Sequence, residues 1–132
     1  MNLDEIRGVL EAQGWPVEKL SESTIRSRFR SKDRIFPLFV HVEHLFVTFA
    51  VIPYARLPEN QEAADALMTR LLHLNREINL AKYSVDDDGD VILSVEYRIE
   101  HLDPSEIRDA VDVLSFYADK HHEGVTRMAG GA

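Results

Sequence analysis

The sequence contains no cysteine, which removes disulfides, thiolate nucleophiles and Cys-ligated zinc together and fits a reducing compartment. No apolar run approaches the roughly 18 residues of a membrane-spanning helix. The start, Met1-Asn2-Leu3-Asp4-Glu5, is acidic where an export signal would be basic. The expectation is a soluble, unprocessed, cytoplasmic protein that does not engage a membrane. Internal repeats are absent too. Basic side chains are in the minority, 15 against 23 acidic ones, for a formal net charge of −8. What is present is an ordinary globular composition: 132 residues, 45% apolar and 29% charged. A chain of this size buries roughly two-thirds of its unfolded surface around one core. One domain is expected over residues 1–126. The stretch 127–132, with two glycines and two alanines and nothing to pack, is expected as a flexible tail.

Local signals order the chain. Asn2 with Glu5 three residues later forms a helix start, Leu3, Ile6, Val9 and Leu10 form its apolar stripe, and Gly14 before Trp15-Pro16 stops it. After a polar stretch from Glu18 to Thr24, Ile25, Ser27 and Phe29 alternate with Arg26, Arg28 and Arg30, the period of a half-solvated strand. Phe36 to Val42 and Leu45 to Ile52 are rich in Val and Phe and read as a hairpin ending at Pro53. A helix starting at Pro58 carries Ala64, Leu67, Met68, Leu71, Leu72, Asn75 and Ile78 at spacings of three and four. Leu80 to Val85 and Val91 to Ile99 alternate as two further strands. The last helix opens with Asp103-Pro104-Ser105-Glu106 and buries Ile107, Ala110, Val111, Leu114, Tyr117 and Ala118.

The two hairpins make stronger statements. With Glu43-His44 as a two-residue loop, Val42 faces Leu45, Val40 faces Val47, Leu38 faces Phe49 and Phe36 faces Val51, one wholly apolar face. The opposite face then holds Pro37, Phe39 and His41 beside Phe46, Thr48, Ala50 and Ile52, far greasier than a solvated sheet face. In the second hairpin, a two-residue Asp88-Gly89 loop would set Tyr83 and Val85 against Ser94 and Ile92, because a one-residue slip inverts a strand. The loop is therefore expected to be odd in length, with Gly89 left-handed and a bulge beside it. The order α-β-β-β-α-β-β-α predicts an α+β fold whose mostly antiparallel five-stranded sheet carries its helices on one face.

Three segments, LFVTFAVIP, LLHLNREINLAKYSVDDDGDVILSVEYRIE and LDPSEIRDAVDVLSFYADKHHEGV, resemble the YbjN-like bacterial domain. The resemblance runs from about Ile25 to Val125 and rests on spacing, including Leu74-Asn75 near a helix end and an Asp-Gly turn between strands. It implies the fold of type III secretion chaperones such as the Tir chaperone, and a non-enzymatic cytosolic dimer, chaperone-like or a sensory transduction regulator. It carries over no catalytic residues.

Candidate chemistry is sparse. Asp86, Asp87, Asp88 and Asp90 place Gly89 fourth, whereas a calcium loop wants glycine sixth, so a polar hairpin tip is the expectation. His41 and His44 are three apart on a strand and turn, unlike the helical HExxH zinc motif, and no metal site is expected. His73 and His101 read as solvent groups, and His121 with His122 as helix C-terminal groups favoured by the dipole. Asn75, on a buried stripe, must have partners for its amide and is expected to tie its helix to a strand. Arg26, Arg28, Arg30, Lys32 and Arg34 against Asp33 give a local charge of +4, leaving −12 on the rest of a chain totalling −8. That remainder repels phosphate backbones, so the arginines are expected on a solvated strand face near Glu96 and Glu100, without nucleic acid.

The reading that follows is a non-enzymatic protein-binding module without a cofactor. It is a homodimer in which the face around Phe39, Phe46, Ala50 and Ile52 is covered by a twin subunit or a protein client. The alternative is a small enzyme or ligand-sensing domain with a pocket between sheet and helices and His41 or His121 as its polar group.

Overall fold

The structure, a computed structural model, describes residues 1–130. Helix α1 (Leu3–Ala12) is followed by strands β1 (Glu18–Lys19), β2 (Thr24–Ser31), β3 (Arg34–Glu43) and β4 (Phe46–Arg56), helix α2 (Gln61–Glu77), strands β5 (Lys82–Val85) and β6 (Asp90–Arg98), and helix α3 (Pro104–Met128). The sheet has six strands rather than five, in the order β1-β2-β3-β4-β6-β5, with every pair antiparallel. The extra strand is β1, two exposed residues too short to show an alternation.

The helix starts follow from their caps. Asn2 and Glu5 exchange side-chain and backbone hydrogen bonds, as do Asp103 and Glu106, so free amides at both helix N-termini are satisfied. Helix α2 begins three residues later than Pro58, because the Asn60 side chain accepts from the Ala63 amide at 2.8 Å and makes Asn60 the cap. Its buried stripe is Ala64, Leu67, Leu71 and Leu74, closed by Ile78, while Leu72 is 69% exposed. Leu74 therefore belongs to the stripe, whereas Leu72, expected on it, points away from the core.

The first hairpin turns one residue later than the spacing suggests, at His44-Leu45, with φ of 54° at His44. Glu43 pairs with Phe46, Val42 with Val47 and Val40 with Phe49. The register thus moves by two residues, so the side chains that remain in the strands keep their expected faces, while Leu45 passes into the turn and is 53% exposed. Strand β4 also continues past Pro53 to Arg56. A register irregularity between Val51 and Ala55 carries the ladder past a residue that has no amide to donate.

The second hairpin has the odd loop. Val85 pairs with Val91 and Tyr83 with Leu93, Gly89 has φ of 82°, and Tyr83 is buried. The Asp86 amide donates to the Asp90 carbonyl at 3.0 Å and the Gly89 amide to the Asp86 carbonyl at 3.1 Å, so the left-handed glycine forms the expected bulge, and the irregularity in β4 is a second one. Helix α3 runs to Met128, so Arg127 and Met128 belong to the helix rather than to a tail. Val125 is buried and Arg127 pairs with Glu123, which together hold the last turns. Ala129 caps the helix and Gly130 follows with φ of 85°, while 131 and 132 of the expected tail lie outside the described residues.

The core lies between the three helices and one face of the sheet. Ile25 and Phe29 of β2, Leu38 and Val40 of β3, Val47, Phe49 and Val51 of β4, and Val91, Leu93 and Val95 of β6 all point into it. They meet Ile6 and Leu10 of α1, Leu67, Leu71 and Leu74 of α2, and Ile107, Val111 and Leu114 of α3. At about 25 cal/mol per Å² of apolar area, burial on this scale is the main stabilising term.

Candidate protein-interaction face

With the helices gathered on one side, the reverse face of the sheet is left to the side chains of the opposite parity. Cross-strand pairing sets them in rows. Arg26, Phe39, Ala50, Ser94 and Lys82 form one row across β2, β3, β4, β6 and β5, Thr24, His41, Thr48 and Glu96 a second, and Glu43, Phe46 and Arg98 a third. Arg28 lies beside Pro37, and Arg30 beside Ile35. Phe39, Phe46, Ala50 and Ile52 therefore share this face. Phe46 is 48% exposed, Phe39 and Ile52 are half-buried, and Ala50 is a buried floor residue between Phe39 and Ser94.

Two residues belong to this face that the sequence reading left out. Ile35, 55% exposed, continues the outward alternation of Phe39 and Pro37 by one more step, and a strand start at Arg34 rather than Phe36 would have found it. Ile92 of β6 is half-buried on the same side.

The face is electrically divided. Glu18 pairs with Arg26, Glu96 with Lys82 at 2.6 Å, and Glu100 with Arg98 at 3.2 Å. Glu96 and Glu100 do not serve the arginines of β2, because β3 and β4 stand between β2 and β6. Arg28 and Arg30 consequently make no ion pair among the described residues. Above β2 and β3 lies an open recess of about 490 Å³, lined by Pro16, Val17, Glu18, Arg26, Ser27, Arg28, Ile35 and Pro37.

Several other polar groups are engaged in structure, whereas the buried Ser27 hydroxyl has no hydrogen-bond partner among the described residues. Asp86 accepts the amides of Asp88 and Asp90 at 3.0 and 2.9 Å, so its carboxylate closes the hairpin tip. His41 bonds Thr24 at 2.7 Å, while His44 forms the hairpin turn and His73 is exposed. His101 is exposed with φ of 69°, 3.4 Å from Glu100.

His121 is not a helix C-terminal group, since α3 continues for seven residues beyond it. Its Nδ1 lies 2.8 Å from the Tyr83 hydroxyl, and its ring stacks on Tyr117. Burial, then Lys120 and Arg70, hold its pKa below the usual histidine value, opposed by Glu77. His122 packs edge-on to Phe36 and Tyr54 and is lowered by burial and by Arg34, opposed by Asp119. Burial raises the phenols of Tyr54 and Tyr83, and Tyr54 donates to the Ala118 carbonyl at 2.6 Å. Ser31 of β2 donates to Asp119 and to the Ser115 carbonyl, and accepts from Ser115 Oγ at 2.6 Å, tying sheet to helix. A second recess of about 180 Å³ between α2 and β5 is lined by Met68, Leu71, Leu72, Asn75, Tyr83, Ser84 and Val85. Neither recess is lined by His41 or His121.

Comparison with known sequences settles the family. The YbjN sequence profile, described as "Putative bacterial sensory transduction regulator", matches residues 2–124. The chain belongs to the YbjN family. No curated protein matches it in sequence. Among solved structures, YbjN of E. coli superposes with a TM-score of 0.69 at 14% identity, covering 94% of this chain and 93% of that one. The heterodimeric ExoU-SpcU complex of the Pseudomonas aeruginosa type III secretion system contains a chain with a TM-score of 0.61 at 18% identity, covering 92% and 95%. The ExsC-ExsE complex contains another, with a TM-score of 0.65 at 13% identity, covering 96% and 98%. The chain thus has the α+β fold of these solved structures, and no helix among its described residues is long and apolar enough to cross a membrane.

Proposed function

We propose that this chain is a non-enzymatic protein-binding module of chaperone-like or regulatory type. It acts as a homodimer that uses its apolar sheet face to bind itself and a protein client. The observation that carries this reading is the asymmetry of the sheet. One face is packed by three helices, while the other presents Phe46, Phe39, Ile52 and Ile35 with no helix over them among the described residues. Covering such a face removes apolar area from water at roughly 25 cal/mol per Å², enough over an ordinary interface to offset association entropy. Two proteins of the same fold were solved in complexes with other proteins, ExoU-SpcU and ExsC-ExsE, which supports a partner-binding role.

The rival reading, a small enzyme or ligand-sensing domain with a pocket between sheet and helices, draws less support. The recess between α2 and β5 is below the roughly 300 Å³ usual for small-molecule sites. Light scattering of the wild type and of Phe46→Glu tests the proposal. A dimeric mass that falls to that of one chain in the variant is the expected result, and a mass unchanged by the substitution overturns the assignment of this face.

A further inference from the structure

The recess above β2 and β3 has a chemistry that the rest of the face does not share. Its walls are apolar, with Val17, Pro16, Ile35 and Pro37, and its floor carries Arg26 and Arg28. Side chains two apart on a strand stand about 6.8 Å from one another on one face. Arg26, Arg28 and Arg30 thus form a basic line beside an apolar one. Glu18 neutralises Arg26. Arg28 and Arg30 have no acid of their own among the described residues, although the chain outside this segment carries a charge of −12.

A second copy laid face to face does not answer them. Of the acids on the outer face, Glu18 is engaged by Arg26, Asp90 by Arg56, Glu96 by Lys82 and Glu100 by Arg98, which leaves Glu43 alone for two arginines. Closing an apolar surface over unpaired guanidinium groups costs desolvation that nothing returns. A nucleic acid would bring the anions but not the apolar side chains that Ile35, Pro37 and Val17 call for, and the acidic remainder would repel it.

We infer that this recess receives an acidic, leucine-like segment of a partner protein, whose carboxylates pair with Arg28 and Arg30 while its apolar side chains cover Ile35 and Pro37. The inference rests on the protein-binding reading and names the chemistry of the client. The twin subunit then covers the Phe46 side of the face and leaves the β1–β3 side to the client. A carboxylate on a guanidinium is a charge-assisted, bidentate contact, stronger than a neutral hydrogen bond, and at this exposed position it is screened by salt.

The test is fluorescence anisotropy with the whole protein and three short labelled peptides: repeats of Leu-Leu-Glu-Glu, repeats of Leu-Leu-Lys-Lys, and oligoglutamate. Inorganic phosphate serves as competitor. The Leu-Glu peptide is expected to bind, to weaken as salt rises, and to lose about tenfold in affinity on Arg28→Glu, the loss of one charge-assisted contact. Ile35→Asp should weaken it as well. Arg127→Gln, in an ion pair on α3 away from the face, should leave it unchanged.

Equal binding of the Leu-Lys peptide, full binding of oligoglutamate, displacement by phosphate alone, or insensitivity to Arg28→Glu in a variant with wild-type melting would each overturn the inference. So would failure of the Leu-Glu peptide to bind. If Phe46→Glu still lowers the mass in that last case, the protein-binding reading stands and only the client chemistry falls.

Discussion

Asn75 of α2 and Tyr83 of β5 are joined by two reciprocal hydrogen bonds: Asn75 Nδ2 donates to the Tyr83 carbonyl at 3.0 Å, and the Tyr83 amide donates to Asn75 Oδ1 at 2.6 Å. The side-chain amide takes the place of a neighbouring strand. β5 is a sheet edge, and an open edge offers backbone groups on which another chain can pair. Asn75→Leu keeps the volume and removes both bonds, leaving a half-buried donor and acceptor unsatisfied. The expected loss is about 2–6 kcal/mol in urea unfolding, at roughly 1–3 kcal/mol for each stranded group. Asn75→Asp, which keeps the acceptor, should lose less.

Phe49 and Phe46 are three residues apart on β4 and lie on opposite faces. Phe49 is fully buried, with its ring 6.4 Å from that of Tyr97, whereas Phe46 is 48% exposed. Phe49→Ala should destabilise the fold by about 3–5 kcal/mol, the range for a buried aromatic cavity. Phe46→Ala should leave the stability of the single chain within about 1 kcal/mol and act on assembly instead. Chemical denaturation and light scattering of both variants separate the two roles.

Gly89 has φ of 82°, and a Cβ built there meets nothing within 4 Å. Gly89→Ala is therefore a strain experiment with no clash, expected to cost about 1–2 kcal/mol. Gly8 lies inside α1 and its Cβ also meets open space. Gly8→Ala should raise stability by about 0.5–1 kcal/mol by restricting the unfolded chain. Opposite shifts in the melting midpoint check the pair.

His121 and His122 both have pKa values lowered by burial below the 6.5 of a free histidine. The unfolded chain then binds more protons than the folded one just below that value, so stability rises with pH there. On acidification the contribution begins to fall as pH drops through about 6.5 and is lost once the folded-state values are passed. The melting midpoint is expected to drop as pH falls below about 6.5, where histidine titrates. The drop should be smaller in the His121→Gln, His122→Gln double variant.

Much of this architecture was written in local pattern. The stripe Ile107, Ala110, Val111, Leu114, Tyr117 and Ala118 is buried as its spacing requires, the capping boxes at Asn2 and Asp103 form, and Tyr83 lands on the core face because only an odd loop keeps its parity. The helix tie of Asn75 was legible too, since a polar side chain on a buried stripe has to find partners. Phe39, Phe46, Ala50 and Ile52 share one face for the same reason that Val40 and Phe49 share the other: alternation survives a shift of two residues in register.

Alternation does not say which strands become neighbours. That Arg28 and Arg30 stand apart from Glu96 follows from the insertion of β3 and β4 between β2 and β6. That His121 meets Tyr83 depends on how far α3 runs across the sheet. The two-residue β1 and the recess it walls form only when distant backbone segments pair. Periodicity is a property of a segment and its own backbone geometry, so the sequence by itself determined elements, faces and caps. Ion-pair partners, edges and recesses are relations between segments remote in the chain, and only the tertiary packing decided them.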